Sequence, residues 1–221
     1  MLGTYVNVLA IILGSAIGLI FKSGLKKEIT KTIQEAMALA IIVIGIMSAI
    51  KMTLPLLVLI SLALGALVGE LIGLDRLLNN FADKIGKRFS SGNFSKGFIT
   101  ATLVYCVGAM AIYGSIESGL TNNHNTLFIK STLDGVTSIV FASSLGIGVA
   151  FSAVPVLIYQ GSITLLASSA SSFLTEEVIT NMTAIGGILI IGIALNILGI
   201  TKIRLANLVP ALFIPIIYFL F

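Results

Sequence analysis

Val136-TSIVFASSLGIGVAFSAVPVLIYQGSITLLASSASSF-Leu174 contains no charged residue. A helix needs about 20 mostly apolar residues to cross the hydrocarbon core of a bilayer, so this run is long enough for two crossings. Only Pro155 interrupts it. Proline has no backbone N–H and its ring clashes with the preceding turn, so the chain is expected to bend or reverse within a few residues of Pro155. That leaves two readings of the region: full crossings over Thr132–Val154 and Pro155–Leu174, or one broken or re-entrant element.

Six further segments have the same character: Leu2–Phe21, Ile33–Ile50, Leu54–Leu74, Phe98–Ile116, Met182–Ile200 and Leu205–Phe221. Hydrophobic residues make up 57% of the 221 residues and charged residues only 10%, where soluble domains carry about 25% charge. So few charged groups cannot cover the surface of a soluble fold of this length. Lipid has to cover it, and the expected architecture is an all-α polytopic transmembrane bundle forming a single integral membrane domain over 1–221.

Charge distribution decides between seven and eight crossings. Lys22, Lys26, Lys27 and Lys31 lie in the first link, Arg76, Lys84, Lys87, Arg88 and Lys96 in the third, and Lys202 and Arg204 in the last. With eight crossings these links share a side, which leaves only Lys51 and Lys130 opposite; seven would put Lys202 and Arg204 outside. Basic residues are retained on the cytoplasmic side, so eight crossings with both termini outside is the better reading. Ser91 is then cytoplasmic and Glu177 external. The N-terminus carries no basic stretch before its apolar segment, so the first helix is expected to remain in the mature protein.

Within the third link, Leu74, Leu77, Leu78, Phe81, Ile85 and Phe89 recur at helical spacing against Asp83, Lys84, Lys87 and Arg88. This predicts an amphipathic helix on the cytoplasmic surface of the membrane, with a solvated connecting helix as the alternative. A weak internal similarity sets Gly3, Val8, Ala10, Leu13 and Gly14 against Gly135, Val140, Ala142, Leu145 and Gly146 at one constant offset. Internal repeats are common among transporters.

An ionisable side chain at mid-membrane costs several kcal/mol, so its presence asks for a reason. The candidates are Glu70, Glu117 and Asp134, with Lys130 one helical turn before Asp134 and able to pair with it. Around them Tyr105-CVGAMAIYGSIES-Gly119 and Ser131-TLDGVT-Ser138 are rich in glycine and hydroxyl residues, which permit helix breaks and can ligate an ion or satisfy freed backbone groups. The expected ion- or substrate-binding set is Glu117 and Asp134, sharing a proton or cation, with Ser115, Gln160 and Asn196. Helix–helix contact is the competing role for each polar residue, Asn7 included, and Gly14-xxx-Gly18 suits close packing.

Enzyme chemistry finds little footing. His124, the one histidine, lies in the Thr121–Asn125 turn, and Cys106, the one cysteine, lies in an apolar stretch. No phosphate-binding loop, dinucleotide fingerprint or HExxH occurs. No cofactor is expected and no nucleic acid partner; the bilayer, an ion or small polar solute, and further copies of the chain are the expected partners.

Tyr105–Gly119, Lys130-STLD-Gly135, Val154-PVLIYQ-Gly161 and Lys202-IRLANLV-Pro210, following Gly3, Thr4 and Asn7 in this order, resemble the YqgA/YdfK-like family of bacterial membrane proteins (domain of unknown function 554). The resemblance covers essentially the whole chain. It implies a bacterial inner-membrane location and a kindred fold, and supplies no substrate. From the residues themselves the expectation is a small secondary transporter or channel; the alternative is a non-transporting membrane scaffold or accessory subunit.

Overall fold

The glycines of the first helix set the plan of the fold, because Gly14 and Gly18 each mark a place where two backbones touch. The structure, a computed structural model, describes residues 1–22, 26–88, 94–106 and 108–220. In it α1 (Leu2–Lys22) lies along α7 (Asn125–Leu145). Gly3 faces Leu127, Gly14 faces Gly135 and Ser138, and Gly18 faces Ile139 and Ala142. The partner number rises with the glycine number, so the two helices run parallel. A Cβ at Gly14 would run into the Gly135 carbonyl and one at Gly18 into the Ile139 carbonyl. Only a bare backbone permits this approach, the small-residue packing that membrane helices use where no hydrophobic effect drives them together.

These helices belong to the first of two units, which takes 1–34, 82–106 and 110–171; the second takes 35–81, 107–109 and 172–221. In the first unit α5 (Phe94–Cys106) and α6 (Ala109–Leu120) stand at 60° to one another. The long uncharged run divides as α7, then α8 (Gly148–Phe151), α9 (Ala153–Leu165) and α10 (Ala167–Phe173). The reversal lies just ahead of Pro155. Gly146, with φ of 88°, closes α7, and Pro155 occupies the first turn of α9, where a missing N–H breaks no helical hydrogen bond. Gly148 presses on the Phe94 carbonyl and Gly119 on that of Thr164. These contacts place α9 antiparallel to α7, with its C-terminal half at the end of the unit where α1 and α7 begin. Gln34, at the far end, donates to the Ser144 carbonyl at 2.8 Å.

In the second unit α2 (Lys27–Ala49, whose first residues belong to the first unit), α3 (Pro55–Ile72) and α11 (Glu176–Ile197) are the long apolar helices. Gly73 ends α3 in the left-handed conformation and returns its N–H to Gly69 and Glu70, and α4 (Leu74–Arg88) follows at once. The amphipathic stretch is thus helical through Arg88; Phe89 and Ser91 lie outside the described residues. Thr175 caps α11, accepting from the Val178 N–H, and Glu176 and Glu177 sit against its positive N-terminus. The core joins Val58 of α3, Ala184 and Ile185 of α11, and Ala211.

The last segment differs from the uniform helix expected over Leu205–Phe221. Leu205–Phe213 forms a 3₁₀ helix containing Pro210, followed by α12 (Ile214–Tyr218) with Pro215 in its first turn. Two prolines deny the α-helical ladder the donors it needs, and the tighter winding does without them. Gly65 and Gly69 of α3 bring the two backbones together at Ala211 and Asn207.

Among the described residues there are helices and no strands, and five helices are long and apolar enough to cross a membrane: α1, α2, α3, α8–α9 together, and α11. The bent α5–α6 pair makes a sixth if it is one span.

Candidate functional site

Parallel packing of α1 on α7 places Asn7 beside Asp134, and the return of α9 brings Gln160 to the same point. Asp134 Oδ2 accepts from Lys130 Nζ at 2.7 Å, one turn earlier on α7, and from Asn7 Nδ2 at 3.0 Å. The Asn7 amide also donates to Gln160 Oε1 at 3.3 Å. Asn7 and Gln160 are fully buried, and the side chains of Lys130 and Asp134 are 8% and 9% exposed. Asp134 is nine residues into α7, about 13 Å along its axis at 1.5 Å per residue, well inside a segment of bilayer length. Close by, the Tyr105 hydroxyl and Ser138 Oγ share a hydrogen bond of 2.8 Å.

Burying a charge without a partner costs far more than burying a matched pair. Here the ammonium and carboxylate neutralise one another, and amides and hydroxyls, not further charges, make up the surroundings. The network is nonetheless incomplete. Asn7 Oδ1, Gln160 Nε2, Thr4 Oγ1 and Thr164 Oγ1 are buried and have no hydrogen-bond partner. Thr4 lies one turn from Asn7 on α1, and Thr164 one turn from Gln160 on α9.

The other expected residues are placed differently. Glu117 is half-buried at the end of α6, where Oε1 accepts from Asn123 Nδ2 and Oε2 from Thr126 Oγ1, both at 2.7 Å. Thr126 and Asp134 are eight residues apart on α7, about 12 Å of helical rise, and nothing joins Glu117 to Asp134. Asp134 takes Lys130 as its charged partner instead. Ser115 is buried, but its hydroxyl returns to the Ala111 carbonyl of its own helix at 2.6 Å. Asn196, in the second unit, spends its amide on the turn that follows α11: it donates to the Ile203 carbonyl and accepts from the Ile203 N–H and the Thr201 hydroxyl. Gln160 and Asp134 are therefore the members of the expected set that one cluster unites, through Asn7.

The second unit holds a cluster that the sequence reading missed. Glu70 takes Arg204 Nη1 on one oxygen and Asn207 Nδ2 on the other, both at 2.6 Å, while Asn207 Oδ1 accepts the Asp75 N–H at 2.7 Å. Arg204 and Glu70 are 58% and 48% exposed. Asn181 is a similar clasp, donating to Thr53 Oγ1 and accepting the Leu54 N–H. The Lys202–Pro210 motif carried the signal for the first of these, but its asparagine gave no sign that it would meet Glu70. No group of three His, Cys, Asp or Glu suited to a metal ion occurs among the described residues.

Known proteins match the chain over nearly its full length. The family model described as "Protein of unknown function (DUF554)" matches residues 2–220. YdfK of Bacillus subtilis (strain 168), described as an uncharacterized membrane protein, is 40% identical over 220 residues, covering 97% of this chain and 94% of its own. YqgA of Escherichia coli (strain K12), described as an uncharacterized protein, is 30% identical over 219 residues, covering 96% and 93%. No solved structure matches. With its apolar helices and a match from end to end, this chain is a membrane protein that belongs to the DUF554 family.

Proposed function

We propose that the chain is a transporter or channel for a small polar solute or ion, that it works without a cofactor or enzymatic step, and that Asp134, Lys130, Asn7 and Gln160 form its substrate site. One observation carries this reading. A charged pair with two amides is buried where three helices meet, and four polar atoms around it have no partner. Ionisable groups at that depth are expensive, on the order of 2.5–3.5 kcal/mol each on insertion scales, and they characteristically mark pathways. With no nucleotide-binding motif, the driving force in this reading is a gradient.

Eight crossings in the bacterial inner membrane, with both termini and Glu177 external, belong to the same reading. α1, α2, α3, the α5–α6 pair, α7, α8–α9, α11 and Leu205–Tyr218 supply eight segments, and the parallel contact of α1 with α7 fits an even number of crossings up to α7's start. α7 has the length of a span, and Lys130, Asp134 and Ser138 are buried in its contacts with α1 and α5. Internal duplication has less support: the offset pairing Gly3 with Gly135 lays α1 over 134–154, which the turn at Gly146 divides.

The scaffold reading draws on Ser115, Glu117 and Asn196, whose hydrogen bonds all close local structure. Solute and cation flux in proteoliposomes decides between the two. Asp134→Asn and Lys130→Gln, each purified as a folded species, are expected to abolish flux that the wild type shows, and Glu117→Gln to preserve it. Wild-type flux indistinguishable from that of both site variants overturns the transport reading in favour of a scaffold.

A further inference from the structure

The orientation of the two amides points to a ligand class. The Asp134 carboxylate can only accept, so the Asn7 amide must turn its Nδ2 toward it, and its oxygen away. The second Nδ2 hydrogen goes to Gln160, which must therefore present Oε1 and turn its own Nε2 away. Flipping either amide would set donor against donor or oxygen against carboxylate. The fixed charge on Asp134 thus propagates through two side chains and leaves one acceptor, Asn7 Oδ1, and one donor, Gln160 Nε2, both fully buried and both without a partner. The two amides share one hydrogen bond, and the second bond that would complete an amide pair is not made.

Resting on the reading of this cluster as a substrate site, we propose that it binds a small uncharged molecule bearing a hydrogen-bond donor and acceptor side by side, of the primary carboxamide or urea class. Such a molecule accepts from Gln160 Nε2 and donates to Asn7 Oδ1. A bare cation gains from the Asn7 oxygen but meets the Lys130 ammonium and the Gln160 N–H. An anion meets the reverse conflict with Asp134 and the Asn7 oxygen. Since Lys130 and Asp134 already neutralise one another at 2.7 Å, a charged ligand has no net countercharge to pair with. Thr4 and Thr164, each one turn nearer the end of the unit where α1 and α7 begin, present hydroxyls that both donate and accept. They continue the same neutral chemistry from Asn7 and Gln160 toward that end.

Acetamide, acetate and ethylammonium are close in size and differ in charge, which makes them the probes. Saturation-transfer NMR on the full-length protein in detergent is expected to show saturable transfer to acetamide and only background transfer to the two ions. Gln160→Glu keeps the acceptor for Asn7 but removes the donor and adds a charge, and should weaken acetamide binding at least about tenfold; Thr164→Val, removing the unpartnered hydroxyl one turn from Gln160, about threefold. Size-exclusion profile and melting temperature identify any variant that is merely misfolded, in which case Thr164→Val and Gln160→Met decide. Acetamide binding that survives Gln160→Glu and Gln160→Met in folded protein overturns the proposal, as does Gln160-dependent binding of either ion. Labelled acetamide flux in proteoliposomes separates binding from transport. Binding without flux leaves the ligand class standing and defeats transport, whereas flux of a cation without acetamide binding defeats the ligand class alone.

Discussion

Asp134 in the first unit and Glu70 in the second each hold a basic partner, in opposite surroundings. Asp134 and Lys130 sit one turn apart on the same helix and are almost wholly buried, with amides from two other helices around them. Glu70 and Arg204 come from segments far apart in sequence, stay about half exposed, and work with Asn207 to tie the end of α3 to the start of the 3₁₀ helix. The second arrangement explains itself: it satisfies chain ends and water does the rest. The first satisfies no chain end and leaves neighbouring atoms unpaired. Chain-end contacts account for Glu70, and no such contact accounts for Asp134, the residue on which the proposed site is built.

The largest effect separating the two pairs should come from removing one partner of each. Lys130→Met strands a buried carboxylate and is expected to cost about 3–5 kcal/mol in reversible detergent unfolding, with Asp134→Leu in the same chain restoring much of it. A loss under about 1 kcal/mol would erase the distinction between the two pairs. The glycine contacts come next and test backbone approach in both units. Gly14→Ala meets the Gly135 carbonyl and Gly69→Ala the Asn207 carbonyl, each expected to cost about 1–3 kcal/mol. Asn207→Ala leaves the Asp75 N–H without its acceptor, at about 1–3 kcal/mol and without change in flux. Smallest is Arg204→Ala: an exposed pair contributes about 0–1 kcal/mol, and the loss should shrink further in high salt.

The long helices were legible because about 20 consecutive apolar residues leave few alternatives, and Lys130–Asp134 because a spacing of four on a helix is a local rule. Prolines marked the break before Pro155 and could have marked the 3₁₀ winding around Pro210. What stayed hidden was every contact between distant segments. Asp134 and Gln160 stood in one expected set without a visible link and Asn7 read as a helix contact; the parallel docking of α1 on α7 and the return of α9 unite them through Asn7. Glu117 misled for the same reason: a carboxylate near another in sequence invited pairing, yet the Asn123 and Thr126 donors within the following turn claimed it first. Asn196 read as mid-span, but its turn at Gly199 made it a local clasp.

The parallel contact of α1 with α7 also sets a schedule for making the protein. Asn7 and Asp134 are separated by 127 residues, which at about 5–20 residues per second take roughly 6–25 s to synthesise. Throughout that interval α1 carries a polar amide and bare glycines whose partners on α7 do not yet exist. Its contacts with α7 have to wait, in the insertion machinery or in lipid, until α7 is made.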